Sequence, residues 1–287
     1  MGGLMSLVNK SSRHKNHKSY FVPGLSRGLQ VLEILAEWGT PMTVSEIAHE
    51  LGVSRSSAFR TIYTLTHMQF ISSTDEGRVY QLGARILNLG FSFLASQDLV
   101  QKARPELTKL RDDIGISSHL AILEQRDVLF LECVQSTTGY LSNVNVGHRI
   151  PAHASPLGWL LMSDLSAREL AECYKGVKFE KLTDQTPKTF AGLTRAVARA
   201  RTEGIVVSDG IAEAGGRSVS APVFDRDGQV TAAIDISGPA SACEMEQLAT
   251  TVASRVEKAA VSISQNLGYQ PKAGHNWLDA VGRKIRR

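Results

Sequence analysis

The spacing of apolar residues near the start of the chain predicts a series of amphipathic helices. Leu25, Leu29, Leu32 and Leu35 recur at three- and four-residue intervals, which predicts a first helix with these leucines as its core stripe. Gly39 follows the stripe and is the kind of residue that ends a helix. We therefore expect the first helix to begin near Leu25 and to stop at Gly39.

Two further helices and a hairpin follow in the sequence. In TVSEIAHEL, Thr43 and Glu46 have capping-box spacing, and the apolar face comprises Val44, Ile47, Ala48 and Leu51. Gly52 supplies a sharp turn, and Ser54 is a natural N-cap for a third helix whose inward residues are Ala58, Ile62 and Leu65. After Phe70 the segments FISS, TDEG and RVYQL predict a two-stranded wing. The pattern predicts a winged helix-turn-helix.

The second half of the chain mixes strand-like alternation with helical periodicity. Strand-like runs occur at 117–123, 128–134, 140–146, 217–224 and 229–237, and DRDG marks a hairpin turn between the last two. Residues 244–267 have a helical pattern whose apolar side comprises Leu248, Val252, Val256, Ala259 and Ile263. We expect an antiparallel sheet flanked by helices, so that the whole chain is α+β.

The predicted domain organisation has five parts. They are a flexible basic arm (1–24), a winged helix-turn-helix domain (25–83), a linker helix (84–98), a second domain (99–267) and a basic C-terminal tail (268–287). The arm carries four basic residues and no acidic one, and the tail carries five basic residues and one acidic one. Basic ends favour polyanions, although lysine-rich ends are commonly only solvated.

Composition excludes several classes of protein. Of the 287 residues, 43% are hydrophobic, yet no stretch approaches the ~18 consecutive apolar residues of a membrane span. Cys133, Cys173 and Cys243 lie far apart and lack metal-ligand spacing, so we expect neither a disulfide framework nor a metal site. The N-terminal segment lacks the pattern of a secretory signal, and we expect a cytoplasmic protein without a membrane partner.

The predicted third helix starts with small, polar and positively charged residues. A recognition helix places its first turn against base edges in the major groove, so that turn must be narrow and must offer hydrogen-bond donors. The candidate DNA contacts are Ser54, Arg55, Ser56, Ser57, Phe59, Arg60, Tyr63 and Arg78. Three alternatives stay open. In the first, the serines serve only as a helix cap and a solvated turn. In the second, Arg60 and Arg78 are ordinary exposed arginines without a role in binding. In the third, one of the two aromatic residues packs under the wing.

Five motifs in a fixed order give the chain a family resemblance. They are LSRGLQVLEILAE, LGVSRSSAFRTIYTL, YQLGARILNLG, VGHRIPAHASPLG and RSVSAPVFDRDGQVTAAIDISGP. Over about Leu25 to Leu267 the chain resembles the IclR-type bacterial transcription regulators. The resemblance implies a winged helix, a linker helix and a GAF-like effector domain. It also implies a homodimer or dimer of dimers that binds a palindromic operator in double-stranded DNA and responds to a small carboxylate.

The resemblance places the effector pocket at two segments of the second domain. In RIPAHASPLGWLL, the Ser155-Pro156 pair predicts a helix start, which next to His153 can hold an anion. In VVSDGIAEAGGRSVSAP, Asp209 falls on a predicted loop that leads into a strand. The candidate effector residues are His153, Ser155, Leu157, Gly158, Asp209, Ser218 and Ser220. On the pattern alone, His153 and Ser155 would only satisfy backbone caps.

Departures from the family pattern leave the ligand undefined. The family often has Thr-Ala at Ser155-Pro156, a lysine at Trp159, an acidic residue at Ile211 and a cysteine at Ser218. Several motifs are closer to the branch that regulates aromatic-acid breakdown. Trp159 either stacks on an aromatic ligand or belongs to the core.

Two other classes of function are alternatives to a regulator. The chain lacks the P-loop, GxGxxG and HExxH patterns, so the sequence favours a non-enzyme without a cofactor. A module whose winged helix binds protein instead of DNA is the second alternative.

Overall fold

Helices and a small sheet form the first of two units into which the chain divides, with the boundary between Ser96 and Gln97. The computed structural model describes residues 17–74, 77–137, 144–242 and 244–270. The elements of the first unit are α1 (His17–Tyr20), α2 (Pro23–Trp38), β1 (Met42–Thr43), α3 (Val44–Glu50), α4 (Arg55–His67), β2 (Ile71–Thr74), β3 (Val79–Leu82) and α5 (Arg85–Ala95). The predicted arm falls mostly on residues 1–16, which lie outside the described residues.

The helix starts of the first unit follow their predicted caps. Thr43 and Glu46 form a complete capping box at α3. The Ser54 side chain accepts a hydrogen bond from the Ser57 backbone N–H at the start of α4. Gly39 ends α2 with a left-handed φ of 64°. These features were predicted because each depends on residues three or four positions apart.

The first unit has one small core. Its buried residues include Val31, Leu35, Ile47, Ala58, Ile62 and Tyr80. The predicted stripe of α2 holds at Leu35, which is buried, and at Leu32, which packs against this core. It is wrong at Leu25 and Leu29, which are 64% and 54% exposed, and Val31 is buried in the core although it was not predicted. The helix also begins earlier than expected, at Pro23, which suits the first helical turn.

The predicted wing is part of a three-stranded antiparallel sheet. Strands β2 and β3 pair as the hairpin pattern predicts, and the short strand β1 pairs with the other side of β3. Residues 75–76 of the expected TDEG turn lie outside the described residues. The first unit is thus a winged helix-turn-helix with α4 in the position of the recognition helix.

The second unit contains one large sheet and helices. Its elements are α6 (Asp98–Ile114), β4 (Ser118–Glu124), β5 (Asp127–Val134), β6 (Arg149–Pro151), α7 (Pro156–Leu161), α8 (Ala167–Cys173), α9 (Phe190–Glu203), β7 (Val206–Asp209), β8 (Gly216–Phe224), β9 (Val230–Pro239), α10 (Met245–Gln247) and α11 (Ala253–Asn266). The strand order is β6-β5-β4-β9-β8-β7, and every neighbouring pair is antiparallel. The α+β prediction is confirmed.

Strands β4, β5, β8 and β9 occur where alternation predicted them. The predicted strand at 140–146 does not form over residues 144–146, and residues 138–143 lie outside the described residues. Strands β6 and β7 were not predicted, since each has only three or four residues. Short edge strands carry too little alternation to be recognised.

The C-terminal helix is confirmed with one irregularity. A π-helical segment, Leu248–Val252, joins α10 to α11, and the whole predicted apolar side is buried: Leu248, Val252, Val256, Ala259 and Ile263. Cys243 and residues 271–287 of the predicted basic tail lie outside the described residues. Of the helices in the described ranges, none has both the length and the apolar character needed to cross a bilayer.

Candidate functional site

The first turn of α4 is exposed and narrow. Ser54, Arg55 and Ser56 lie on the surface, while Ala58 and Ile62 on the opposite side are completely buried. The helix is thereby anchored by its apolar face, with its N-terminal backbone N–H groups at an accessible end. Such an end attracts phosphate because the helix dipole and the unpaired N–H groups both favour negative charge.

Ser57 is placed differently from the other residues of this turn. Its side chain is only partly exposed, and its hydroxyl accepts a hydrogen bond from Arg27 Nη1 at 2.5 Å. Arg27 belongs to α2 and also donates from Nε to the Pro23 carbonyl oxygen. Sequence reasoning missed Arg27, although it stands in the LSRGL motif that carried the family resemblance.

The remaining candidate DNA residues all lie on the surface. Phe59 and Tyr63 are exposed, and their rings are 6.4 Å apart, so neither aromatic residue packs under the wing. Arg60 is exposed on α4, and Arg78 is exposed just before β3. The stretch from Leu51 to Thr74 contains no acidic residue. This face therefore combines positive charge, hydroxyls and flat apolar rings.

A cavity of about 470 Å³ lies in the second unit, beside the start of α7. Strands β7, β8 and β9 supply Ser208, Ser218, Asp235 and Ser237 to its wall. The segment 211–216 also lines the cavity, as do Phe130 and His148. The volume lies in the range of small-molecule sites.

Three of the seven candidate effector residues line this cavity: Ser155, Leu157 and Ser218. Ser155 is the N-cap residue of α7, as predicted, but its side chain makes no capping hydrogen bond. The Ser218 hydroxyl lies 2.8 Å from the Ser208 hydroxyl on the neighbouring strand. The wall therefore offers several hydroxyl groups to a ligand.

His153 and Gly158 lie in the interior and not on the cavity wall. His153 Nε2 is 2.9 Å from the Glu180 carbonyl oxygen, and its ring lies edge-on to Phe179. A Cβ on Gly158 would overlap the Ala152 carbonyl group, so glycine allows α7 to pack closely on the preceding turn. Both residues therefore shape this segment from inside.

Asp209 and Ser220 also lie off the cavity wall. Asp209 Oδ2 accepts a hydrogen bond from Arg217 Nε at 3.0 Å, and it is Arg217 that lines the cavity. Ser220 is completely buried beneath the wall. Trp159 belongs to the core, where its indole N–H donates to the His153 carbonyl oxygen at 2.8 Å, so the alternative of a core residue holds.

Sequence reasoning missed Asp235 and Ser237 on the cavity wall. Both belong to the alternating run AIDIS on β9, in which the apolar residues Ile234 and Ile236 point to the other face of the sheet. The signal was present, because a carboxylate on the inner face of a core strand requires a partner. That partner is His119, whose Nδ1 lies 2.8 Å from Asp235 Oδ1.

Cys133 lies next to His119 in the pairing of β4 and β5. Burial, together with the nearby Asp235 and Glu132 carboxylates, raises the pKa of the Cys133 thiol to about 12. The thiol is therefore protonated at neutral pH and is a poor nucleophile. In the described part of the chain, no cluster of three or more His, Cys, Asp or Glu residues is arranged to hold a metal ion.

Known families and structures agree with this architecture. The model of the IclR helix-turn-helix domain matches residues 24–75, and that of the IclR C-terminal domain of bacterial transcriptional regulators matches residues 91–265. The HTH-type transcriptional regulator XynR of Escherichia coli K12 is 28% identical over 248 residues, which cover 86% of this chain and 98% of XynR.

Two solved structures are similar over most of the chain. A transcriptional regulator from Rhodococcus sp. RHA1 is 30% identical with a TM-score of 0.76, and the match covers 86% of this chain and 98% of that one. An IclR homologue from Microbacterium hydrocarbonoxydans, solved in complex with 4-hydroxybenzoate, is 24% identical with a TM-score of 0.72 and coverages of 85% and 98%.

The named relatives are transcriptional regulators and repressors, which favours a regulator over an enzyme. The two family models together account for both units, and the second alone spans more than half of the chain. This chain belongs to the IclR family of DNA-binding transcription regulators.

Proposed function

We propose that this protein binds a specific operator with the first turn of α4 and that a small carboxylate in the cavity controls this binding. The observation that carries the DNA-binding part is the exposed, cationic start of α4 on a helix anchored by the completely buried Ala58 and Ile62. A helix held in this way can enter a major groove without unfolding its own core.

The proposal assigns the candidate residues to bases, phosphates or sugars. Arg55 and Ser56 read base edges, while Ser54, Ser57 and the helix N-terminus lie along phosphates. Arg60 and Arg78 contact phosphates on either side. Phe59 and Tyr63 contact thymine methyl groups or sugars. Arg27 orients the first turn through its hydrogen bond to Ser57.

A homodimer on a palindromic operator is part of the proposal. Of the exposed large apolar residues in the described ranges, thirteen of sixteen belong to the first unit. Helix α5 has no buried residue, and Leu87, Leu89, Phe91 and Phe93 are all exposed on it. A helix with a broad, exposed apolar face requires a covering surface, and in this proposal a second copy of the chain supplies one. Two dimers can associate further into a dimer of dimers.

The effector part of the proposal uses the cavity. Its hydroxyl-lined wall and its Phe130 ring suit a small organic acid, including an aromatic one. The homologue that binds 4-hydroxybenzoate has the same fold, which supports this class of ligand. The ligand acts by favouring one of two dimer geometries. The linker helix α5 transmits this change to the placement of the two winged helices. The whole cycle takes place in the cytoplasm, where the DNA is.

Selection from a pool of random duplex DNA tests the proposal. The protein should enrich an inverted repeat whose half-site centres lie about one helical turn, or a multiple of it, apart. Its affinity for the selected DNA should fall steeply as salt rises. Recovery of no common sequence, or equal affinity for selected and shuffled DNA, would show that the protein does not bind a specific operator.

A further inference from the structure

The cavity has a polar floor made of paired positions on the sheet. Asp235 on β9 pairs with His119 on β4 and with Ser220 on β8. One step along the same face, Ser237 pairs with Ser218, which in turn pairs with Ser208 on β7. Since side chains two positions apart in a strand share a face, these two rows lie on the same side of the sheet. Asp235, Ser237, Ser218 and Ser208 all line the cavity.

Asp235 and His119 form a buried pair at this floor. His119 is completely buried and Asp235 is 5% exposed. Because a carboxylate only accepts hydrogen bonds, the His119 Nδ1–H must donate to Asp235 Oδ1 across their 2.8 Å separation. The Phe130 and His119 rings meet edge to face with their centroids 5.7 Å apart, which fixes the His119 ring further. His119 therefore holds Asp235 in one orientation.

Asp235 has unused hydrogen-bonding capacity. Its Oδ1 is engaged by His119, and no group in the described ranges donates to Oδ2. Other polar atoms around it are also left unsatisfied, since His119 Nε2 and the Ser220 hydroxyl are buried without a partner among the described residues. Arg217 lines the cavity, but its Nε is already bonded to Asp209. Unlike His119 and Ser220, Asp235 lines the cavity, so a donor that arrives from the cavity can reach Oδ2 and form a hydrogen bond with this nearly buried carboxylate.

We infer that the effector is a hydroxylated carboxylic acid whose hydroxyl group donates to Asp235. This inference rests on the proposed control by a small carboxylate and adds the feature that the site recognises. The hydroxyl end lies at Asp235, because repulsion between like charges keeps the ligand carboxylate away from it. An analogue without the hydroxyl leaves the carboxylate unsatisfied and binds about 10- to 100-fold more weakly.

Matched ligands test this inference. We would measure dissociation constants by calorimetry for 4-hydroxybenzoate, 4-methoxybenzoate and benzoate, and for the aliphatic pair lactate and propionate. The methoxy compound keeps the oxygen but has no proton to donate. At least one hydroxy acid should bind about tenfold or more tightly than its partner without a donor. It should also change the affinity of the protein for its selected DNA.

Asp235→Asn is the test variant, and Asp227→Asn, in the exposed hairpin turn after β8, is the matched control. In Asp235→Asn the His119 Nδ1–H binds the amide oxygen, so the amide N–H₂ faces the ligand. The preference for the hydroxyl compound over its methoxy or unsubstituted partner should then fall to about threefold or less. The control should keep the wild-type preference. The preference is a ratio within one variant, so a general loss of stability cancels.

Three outcomes would overturn the inference. Equal binding of hydroxylated and unsubstituted acids would contradict the role of the hydroxyl, although control by a carboxylate would stand. A preference unchanged in Asp235→Asn would place the hydroxyl elsewhere. Binding of none of the five compounds, with DNA selection intact, would exclude these hydroxy acids while leaving the DNA-binding part of the proposed function. Loss of DNA selection itself concerns the proposed function alone.

Discussion

Helix α4 begins at Ser54 on the protein surface, whereas α7 begins at Ser155 in the interior. Ser54 caps its helix by accepting the Ser57 backbone N–H at 3.3 Å, and the first turn is exposed. Ser155 occupies the same position on α7 but makes no capping hydrogen bond. All six residues of α7, Pro156–Leu161, are buried. The start of α4 is therefore accessible to a partner, whereas α7 is packed in the interior.

The difference shows how a similar start signal serves two purposes. Thirteen residues of α4 support one buried face, so its first turn is stable while it remains accessible. Helix α7 is short, and contacts with the sheet and with α9 hold it instead of a cap. A mutation in α7 should therefore mainly reduce the stability of the protein, and a mutation at the start of α4 should mainly reduce its affinity for DNA.

The prediction with the largest expected effect on stability concerns the buried helix α7. In Gly158→Ala the new Cβ overlaps the backbone carbonyl of Ala152, so α7 must move away from the preceding turn. We expect a destabilisation of about 3 kcal/mol, the upper end for overpacking, measured as the free energy of unfolding in urea.

Gly90→Ala is the matched control, because nothing lies within 4 Å of a Cβ at this helical glycine of α5. Alanine there should be neutral or should stabilise the protein by up to about 1 kcal/mol. Similar destabilisation by both variants would mean that the cost does not come from the packing of α7.

The next prediction separates two arginines of the exposed helix. If Arg55 reads bases, as we propose, Arg55→Ala should weaken binding to the selected DNA by about 1–3 kcal/mol and have a smaller effect on shuffled DNA. If Arg60 contacts phosphate, as we propose, Arg60→Ala should weaken both complexes to the same extent and reduce the salt slope by about one. Fluorescence anisotropy at several salt concentrations measures both quantities.

Equal losses on both DNAs for Arg55→Ala would remove it from the base-reading residues. A sequence-dependent loss for Arg60→Ala would exchange the two roles.

The sequence predicted the exposed helix more fully than the cavity. Caps such as Ser54 and inward positions such as Ile62 depend on neighbours within one helical turn, so local pattern was sufficient. Local pattern failed at Leu25, because an apolar stripe does not reveal which of its residues a partner helix covers. The exposure of Leu25 is consistent with the proposed homodimer, in which a second copy covers exposed apolar residues of the first unit.

The cavity depends on strands that are distant in the sequence. Asp235 and His119 are 116 residues apart, and only the antiparallel pairing of β4 with β9 brings them together. Ser220 was predicted on the correct strand face, yet the wall ends at Ser218 and leaves it buried below. The family resemblance located the segments, but the depth of each side chain depended on tertiary packing.

Removal of the two N-cap hydroxyls should affect α4 and α7 differently. Ser54→Ala loses a capping hydrogen bond and should destabilise the protein by about 1 kcal/mol. Ser155→Ala loses no cap, so its effect on stability should be clearly smaller, with the change appearing in ligand affinity instead. Thermal unfolding with and without ligand measures both. A larger loss of stability for Ser155→Ala would mean that its hydroxyl supports the fold.

The smallest expected effect concerns the capping box that starts α3, the helix before the recognition helix. The Thr43 backbone N–H and hydroxyl both donate to Glu46 Oε2, at 2.7 and 2.8 Å, and they hold the pKa of this carboxyl below its ordinary value of 4.5. A carboxyl with a lowered pKa in the folded state stabilises the protein above its unfolded pKa, and this contribution is lost as the pH falls through the folded pKa.

Glu46→Gln keeps an acceptor oxygen but removes the titration. The wild-type protein should be slightly more stable than this variant at pH 7, and the difference should shrink below about pH 4.5. The capping box of Ser166 and Glu169 on α8 has the same hydrogen bonds and also a lowered pKa, so Glu169→Gln should behave alike. Urea unfolding between pH 7 and pH 3 measures the effect. A difference that is constant with pH would show that the charge of the carboxylate does not contribute to either cap.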